Sequence, residues 1–179
     1  MSSGLLNRRP TAPAPETWTP EGTIVLQRYR NALGPAEGAI VLVYTADTLR
    51  SRYAVACLGC SYREAGTGSG WFTENDAGRD ANAHATHCRA LNRGVPERPD
   101  ADTAEALIRA QVENTRDPVK AGPVHLGDFH GLRVDLQRTT DWIKHALFRI
   151  AQSQPDLLTA TPASPGGGTR FDVQPYSVA

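Results

Sequence analysis

All three cysteines of this 179-residue chain fall between positions 57 and 88, and that clustering constrains the fold more than any other feature. Cys57-Leu58-Gly59-Cys60 is a C-x2-C pair, and a tight turn between the two thiolates aims both at one point. Gly59 suits such a turn, which often calls for positive φ. After a 23-residue spacer come His84 and Cys88, in the spacing H-x3-C. Four residues apart on a helix, they share one face. Residues 53–57 leading into the pair and 60–63 leaving it read as a hairpin. The spacing therefore predicts a hairpin tip and a helix closing on one tetrahedral ion, with Cys57, Cys60, His84 and Cys88 as ligands. A closed set of four leaves no position for a substrate, so the ion is structural, and sulfur-rich tetrahedral ligation points to zinc. His87 competes with His84; the H-x3-C spacing favours His84, and His87 stays open as ligand or neighbour. Without a metal, the cysteines would be inert buried thiols.

The segment CLGC…ANAHATHCRALNR resembles the C-x2-C…A-x2-H-A-x2-C-R-A pattern of small, mostly uncharacterised zinc-finger-like proteins of actinobacteria, several of which occur in mobile elements. The resemblance covers residues 53–93. It implies His84 and Cys88 as the helix ligands and implies no activity.

An odd cysteine count fits a disulfide framework poorly, and reduced thiols suit metal binding. The N-terminal stretch MSSGLLNRRPTAPAPE lacks an apolar signal core, and no run of about 18 apolar residues exists, so no membrane partner and a cytoplasmic location are expected. Residues 1–20, with Pro10, Pro13, Pro15 and Pro20, read as a disordered arm. Residues 161–179 read as a flexible tail, in which Phe171, Val173 and Tyr176 are the candidates to dock. Residues 21–160 form a single α+β domain containing the zinc module at 53–93. Within it, 39–44 and 53–57 read as strands, and Ile24 to Leu33 as strand or helix. Helices are expected at 74–92, 103–115 and 140–152. Thr73 and Asp76 start the first, Gly94 and Pro96 stop it, and Ala77, Ala81 and Leu91 share its ligand face. Trp142, Ile143, Ala146, Leu147 and Ile150 form a core stripe on the third. Residues 124–136 read as a short hairpin.

Lys plus Arg equals Asp plus Glu at 19 each, which argues against a generic DNA-coating role. Locally, Arg50, Arg52, Arg63, Arg79, Arg89 and Arg93 surround the module, opposed by Glu64, Glu74, Asp76 and Asp80. Arg89 and Arg93, one turn apart on the expected helix, are the candidate nucleic-acid contacts. Trp71 and Phe72 are expected to cover the metal core, or to stack on a partner. The glycine-rich loop at 65–70 lacks a phosphate-loop pattern. Gly127-Asp128-Phe129-His130-Gly131 matches the GDxHG motif of metallophosphoesterases, but no later GNH[DE] motif follows. It reads as a glycine-flanked turn, with His125 and His130 as surface loop histidines. No catalytic residue, enzyme activity or small-molecule substrate emerges. The expectation is a zinc-finger-like nucleic-acid-binding regulator or accessory protein. The alternative is a zinc-stabilised protein-protein interaction adaptor using the third helix or the Trp71-Phe72 loop.

Overall fold

The computed structural model describes residues 15–48, 51–66, 70–163 and 167–176. Two antiparallel sheets and their helices make an α+β fold. The first sheet is a meander of β1 (Thr23–Arg30), β2 (Ile40–Ala46), β3 (Tyr53–Cys57) and β4 (Arg63–Glu64), in that spatial order. β2 is buried along its whole length, because an unbroken apolar run offers side chains to both faces of the sheet. On one face, Val41, Val43 and Val55 meet Ala77, Ala81 and Ala85 of helix α1 (Glu74–His87). On the other, Leu42, Tyr44 and Ala56 meet Val134 and Trp18.

The second unit comprises α2 (Ala101–Asn114), β5 (Gly122–Val124), a 3-10 turn at Leu126–Phe129, the short α3 (Arg133–Leu136), α4 (Thr140–Ser153), β6 (Leu158–Pro162) and β7 (Thr169–Val173). Its sheet runs β5-β7-β6. Of the expected stripe in α4, Ile143, Ala146, Leu147 and Ile150 are buried and Trp142 is half-buried, and Thr139 caps the helix by accepting the Trp142 N–H. No described helix is long and apolar enough to cross a membrane.

Three expectations are corrected. Residues 1–14, 164–166 and 177–179 lie outside the described residues, but neither flanking segment is loose where it is described. Near the start, the Arg28 guanidinium donates to the Trp18 carbonyl at 2.9 Å, and Arg30 pairs with Glu16 at 2.6 Å. Near the end, β7 is the central strand of its sheet, with Phe171 and Val173 buried and Phe148 set edge-on to Phe171 at 5.1 Å. Two apolar residues spaced by two place both on one strand face, which outweighs the surrounding Gly and Pro. Lastly, residues 124–136 form no hairpin. β5 pairs with β7 instead, and the chain then coils through the 3-10 turn into α3.

Candidate metal centre

Strand β3 delivers Cys57 fully buried, and the chain turns back through Gly59 and Cys60 into β4. Gly59 does not adopt positive φ, contrary to the sequence expectation. Its role is close approach. A Cβ there would lie 2.7 Å from the Leu91 carbonyl oxygen and 2.8 Å from the Ala90 Cβ, so a side chain would push the knuckle off the segment that follows α1. Arg63 braces the turn, donating to the carbonyls of Cys57 and Tyr62, each at 2.8 Å, and of Cys60 at 3.3 Å. Its outer edge is held by Asp135, at 2.8 and 2.7 Å.

Helix α1 begins where the sequence places it, with a Thr73–Asp76 capping box. It ends at His87, well short of Gly94. Cys88 is extended (φ −66°, ψ 136°), and from there the chain runs beside the start of β2. Ala39 N–H donates to the Ala90 carbonyl at 3.2 Å, and Asn92 N–H to the Glu37 carbonyl at 2.7 Å. Tertiary pairing therefore ends the helix before the local stop signals do. Leu91, expected on the packed face, is 60% exposed; Ala85 takes that place.

The four candidate ligand atoms all lie within 4.8 Å of one another. Cys57 Sγ is 4.0 Å from Cys88 Sγ, and Cys60 Sγ is 3.5 Å from His84 Nε2. A tetrahedral zinc with ordinary bond lengths requires S···S edges of about 3.8 Å and S···N edges of about 3.6 Å. These two separations match the edges of such a site, and the set as a whole lies within reach of one ion. His84, not His87, faces the sulfurs. His87 is exposed, and its Nδ1 lies 2.9 Å from the Ala83 carbonyl oxygen on its own helix.

The surroundings act on the candidate ligands in opposite directions. Burial pushes the Cys57 thiol up to about 12, partly offset by the Gly59 N–H at 3.4 Å. At Cys88 burial also pushes upward, but the Ala90 N–H, the Asn31 amide and the neighbouring cysteines outweigh it, and the net shift is downward. Burial lowers His84 and keeps its imidazole neutral, as a metal ligand must be. Three converging sulfurs need a cation to exist together as thiolates in this setting. Tyr62 stacks flat on the His84 ring (3.9 Å, 16°) and donates its hydroxyl to Asp80 at 2.6 Å, which fixes the imidazole plane. Tyr62, Arg63 and Asn31 are functional neighbours that spacing did not reveal. Only Tyr62 carried a signal, two residues beyond Cys60.

The other sequence candidates scatter. Phe72 packs on the metal side as expected, but Trp71 does not. Its face carries the Arg52 guanidinium at 4.0 Å, and His130 lies edge-on at 6.4 Å. His130 is no surface residue: it is 1% exposed, and neither ring nitrogen has a partner. Burial, with the charges of Arg133 and Arg52, pushes it down to about 4, so the ring is neutral. Asp128 accepts the His125 N–H at 2.7 Å and closes the turn. Among the described residues, the cysteine–histidine cluster is the only group of three or more potential ligands, so Asp128 and His130 recruit no metal site. Of the six arginines, Arg50 lies outside the described residues. Arg63 and Arg79 are taken up by Asp135 and Asp76. Arg89 and Arg93 are exposed but follow the helix end, so they are not one helical turn apart. Arg89 caps α1 by donating to the Thr86 carbonyl at 3.0 Å.

Compared with known proteins, the chain matches no family model, no curated protein and no solved structure. The resemblance of residues 53–93 thus has no support from these comparisons.

Proposed function

We propose that Cys57, Cys60, His84 and Cys88 hold one structural zinc ion, and that the module they build binds nucleic acid through Arg89 and Arg93. The single observation that carries this reading is the convergence of three sulfurs and one imidazole nitrogen within 4.8 Å of one another. A set of three thiolates and one imidazole is closed, which suits a structural ion, and its softness selects zinc over harder cations. Arg89 and Arg93 sit just beyond the last ligand, exposed, on the segment that the ion ties to the sheet. Of the surfaces open to a protein-binding adaptor, the α4 stripe is spent on the core and Trp71 is engaged by Arg52. That weakens the adaptor reading.

Metal analysis of the purified protein is expected to return close to one zinc per chain. Cys60→Ser loses it, and His87→Ala keeps it. Equal zinc in the wild type and Cys60→Ser removes Cys60 from the ligand set. For binding, the logarithm of affinity for a DNA or RNA duplex is expected to fall linearly with the logarithm of salt concentration. Replacing both Arg89 and Arg93 by Ala should flatten the slope by about 0.9 for each phosphate that is no longer neutralised. A salt-independent affinity, or one unchanged by the double substitution, rejects the nucleic-acid reading.

A further inference from the structure

A cavity of about 580 Å³ opens where Arg52, on the approach to β3, meets the second unit. None of the four metal ligands lines it. Leu126, Phe148 and Phe171 provide apolar wall, Arg52 and Lys144 bring positive charge, and no carboxylate is among the lining residues. The volume falls within the range of about 300–1,000 Å³ typical of small-molecule sites, which combine apolar walls with a few polar anchors.

The Arg52 guanidinium makes no hydrogen bond or ion pair among the described residues. It rests over the indole of Trp71, 4.0 Å from the ring centroid, a contact that leaves its N–H donors free to bond. Gly127 makes room for it, since a Cβ at that position would collide with the guanidinium. Among the described residues Lys144 pairs only with Asp141, at 3.1 Å, in a solvent-exposed i,i+3 contact. Such contacts contribute little and exchange readily. The site is thus a largely apolar slot with an arginine and a lysine among its lining residues.

We propose that this cavity binds a small organic anion with an apolar body, a medium-chain or aromatic carboxylate. The carboxylate meets Arg52 and Lys144, and the body lies against Phe148 and Phe171. Arg52 then exchanges an unpaired guanidinium for a charge-assisted, forked contact.

The test is calorimetric titration of the full chain with octanoate and 2-naphthoate, with 1-octanol as the neutral control. At least one carboxylate is expected to bind one-to-one and at least tenfold more tightly than 1-octanol. Arg52→Gln should weaken that carboxylate about tenfold while leaving 1-octanol unchanged. Lys144→Gln, a substitution of a side chain at the surface, should weaken it severalfold. It decides the matter if Arg52→Gln fails to fold. The proposal is overturned if neither carboxylate binds or if 1-octanol binds as tightly as they do. It is equally overturned if a folded Arg52→Gln, or in its absence Lys144→Gln, keeps wild-type affinity.

Discussion

Stripping the proposed zinc with a strong chelator is expected to unfold helix α1 and free the segment after it, while the second unit keeps its helices. The reason lies in what α1 brings to the core. Its buried residues are Ala77, Gly78, Ala81 and Ala85, with no large apolar side chain among them. Gly78 alone costs about 1 kcal/mol relative to Ala in a helix interior. Helix α4, by contrast, buries Ile143, Leu147 and Ile150, each worth about 1.5–3 kcal/mol on removal from water. Small residues let α1 sit close enough for His84 to reach the knuckle, but they leave the packing thin. On the zinc reading, the ion supplies what the side chains do not. Structural zinc contributes an apparent 10–16 kcal/mol, approximately, to small zinc-folded domains. Amide hydrogen exchange is the direct readout. On chelation, α1 amides should exchange at rates near those of an unfolded chain, and α4 amides should stay protected. Cys88→Ser should reproduce this pattern without chelator. An apo protein whose α1 is as protected as before would show that apolar contacts hold the helix and that the metal is incidental.

The convergence of Cys57, Cys60, His84 and Cys88 was legible in the sequence because the patterns that carry it are local. A C-x2-C turn and an i,i+4 pair are short-range patterns, as are the Thr73 capping box and the α4 stripe. What was not legible depends on contacts between distant segments. Nothing near Cys88 announces that the helix stops there. The stop comes from pairing with residues 37–39, and the amide of Asn31, 57 positions away, reaches the Cys88 sulfur. Gly59 is necessary for a different reason from the one its sequence context suggests: a close approach looks, in sequence, the same as a turn. β7 is obscured by its glycine-rich approach, although Phe171 and Val173 hold the period of a strand. His130 escapes sequence reasoning because a glycine-flanked histidine resembles a surface loop until the first sheet packs over it. That packing is visible in the Tyr44 hydroxyl, which donates to the His130 carbonyl at 2.9 Å.

Asp47→Ala is expected to be strongly destabilising, because Asp47 is the carboxylate that faces a fully buried charge. Arg133 is 0% exposed, and burial pushes its guanidinium downward while Asp47 pulls it back up. Its nitrogens donate to the Thr140 hydroxyl at 2.9 Å and the Arg138 carbonyl at 3.3 Å, and the Asp47 carboxylate is 3.9 Å away. Asp47 also accepts the Thr140 N–H at 3.1 Å and the Thr140 hydroxyl, so it ties the end of β2 to the first turn of α4. A carboxylate at a helix N-terminus gains further from the helix dipole. Removing one member of a buried pair costs about 3–5 kcal/mol. Asp47 keeps 32% of its side chain in solvent, and water there softens the loss, so about 2–4 kcal/mol is expected. Arg133→Met should cost less, since it removes the buried charge and retains an apolar side chain of related length. The decisive measurement is a double-mutant cycle by urea unfolding, with metal-replete protein throughout. If the damage comes from the stranded guanidinium, Asp47→Ala in the Arg133→Met background should cost at least about 1 kcal/mol less than in wild type, an interaction well above the error of additivity. Additive effects would place the contribution of Asp47 in its contacts to Thr140 alone, and the buried arginine would then be stabilised by its hydroxyl and carbonyl acceptors without a counter-charge.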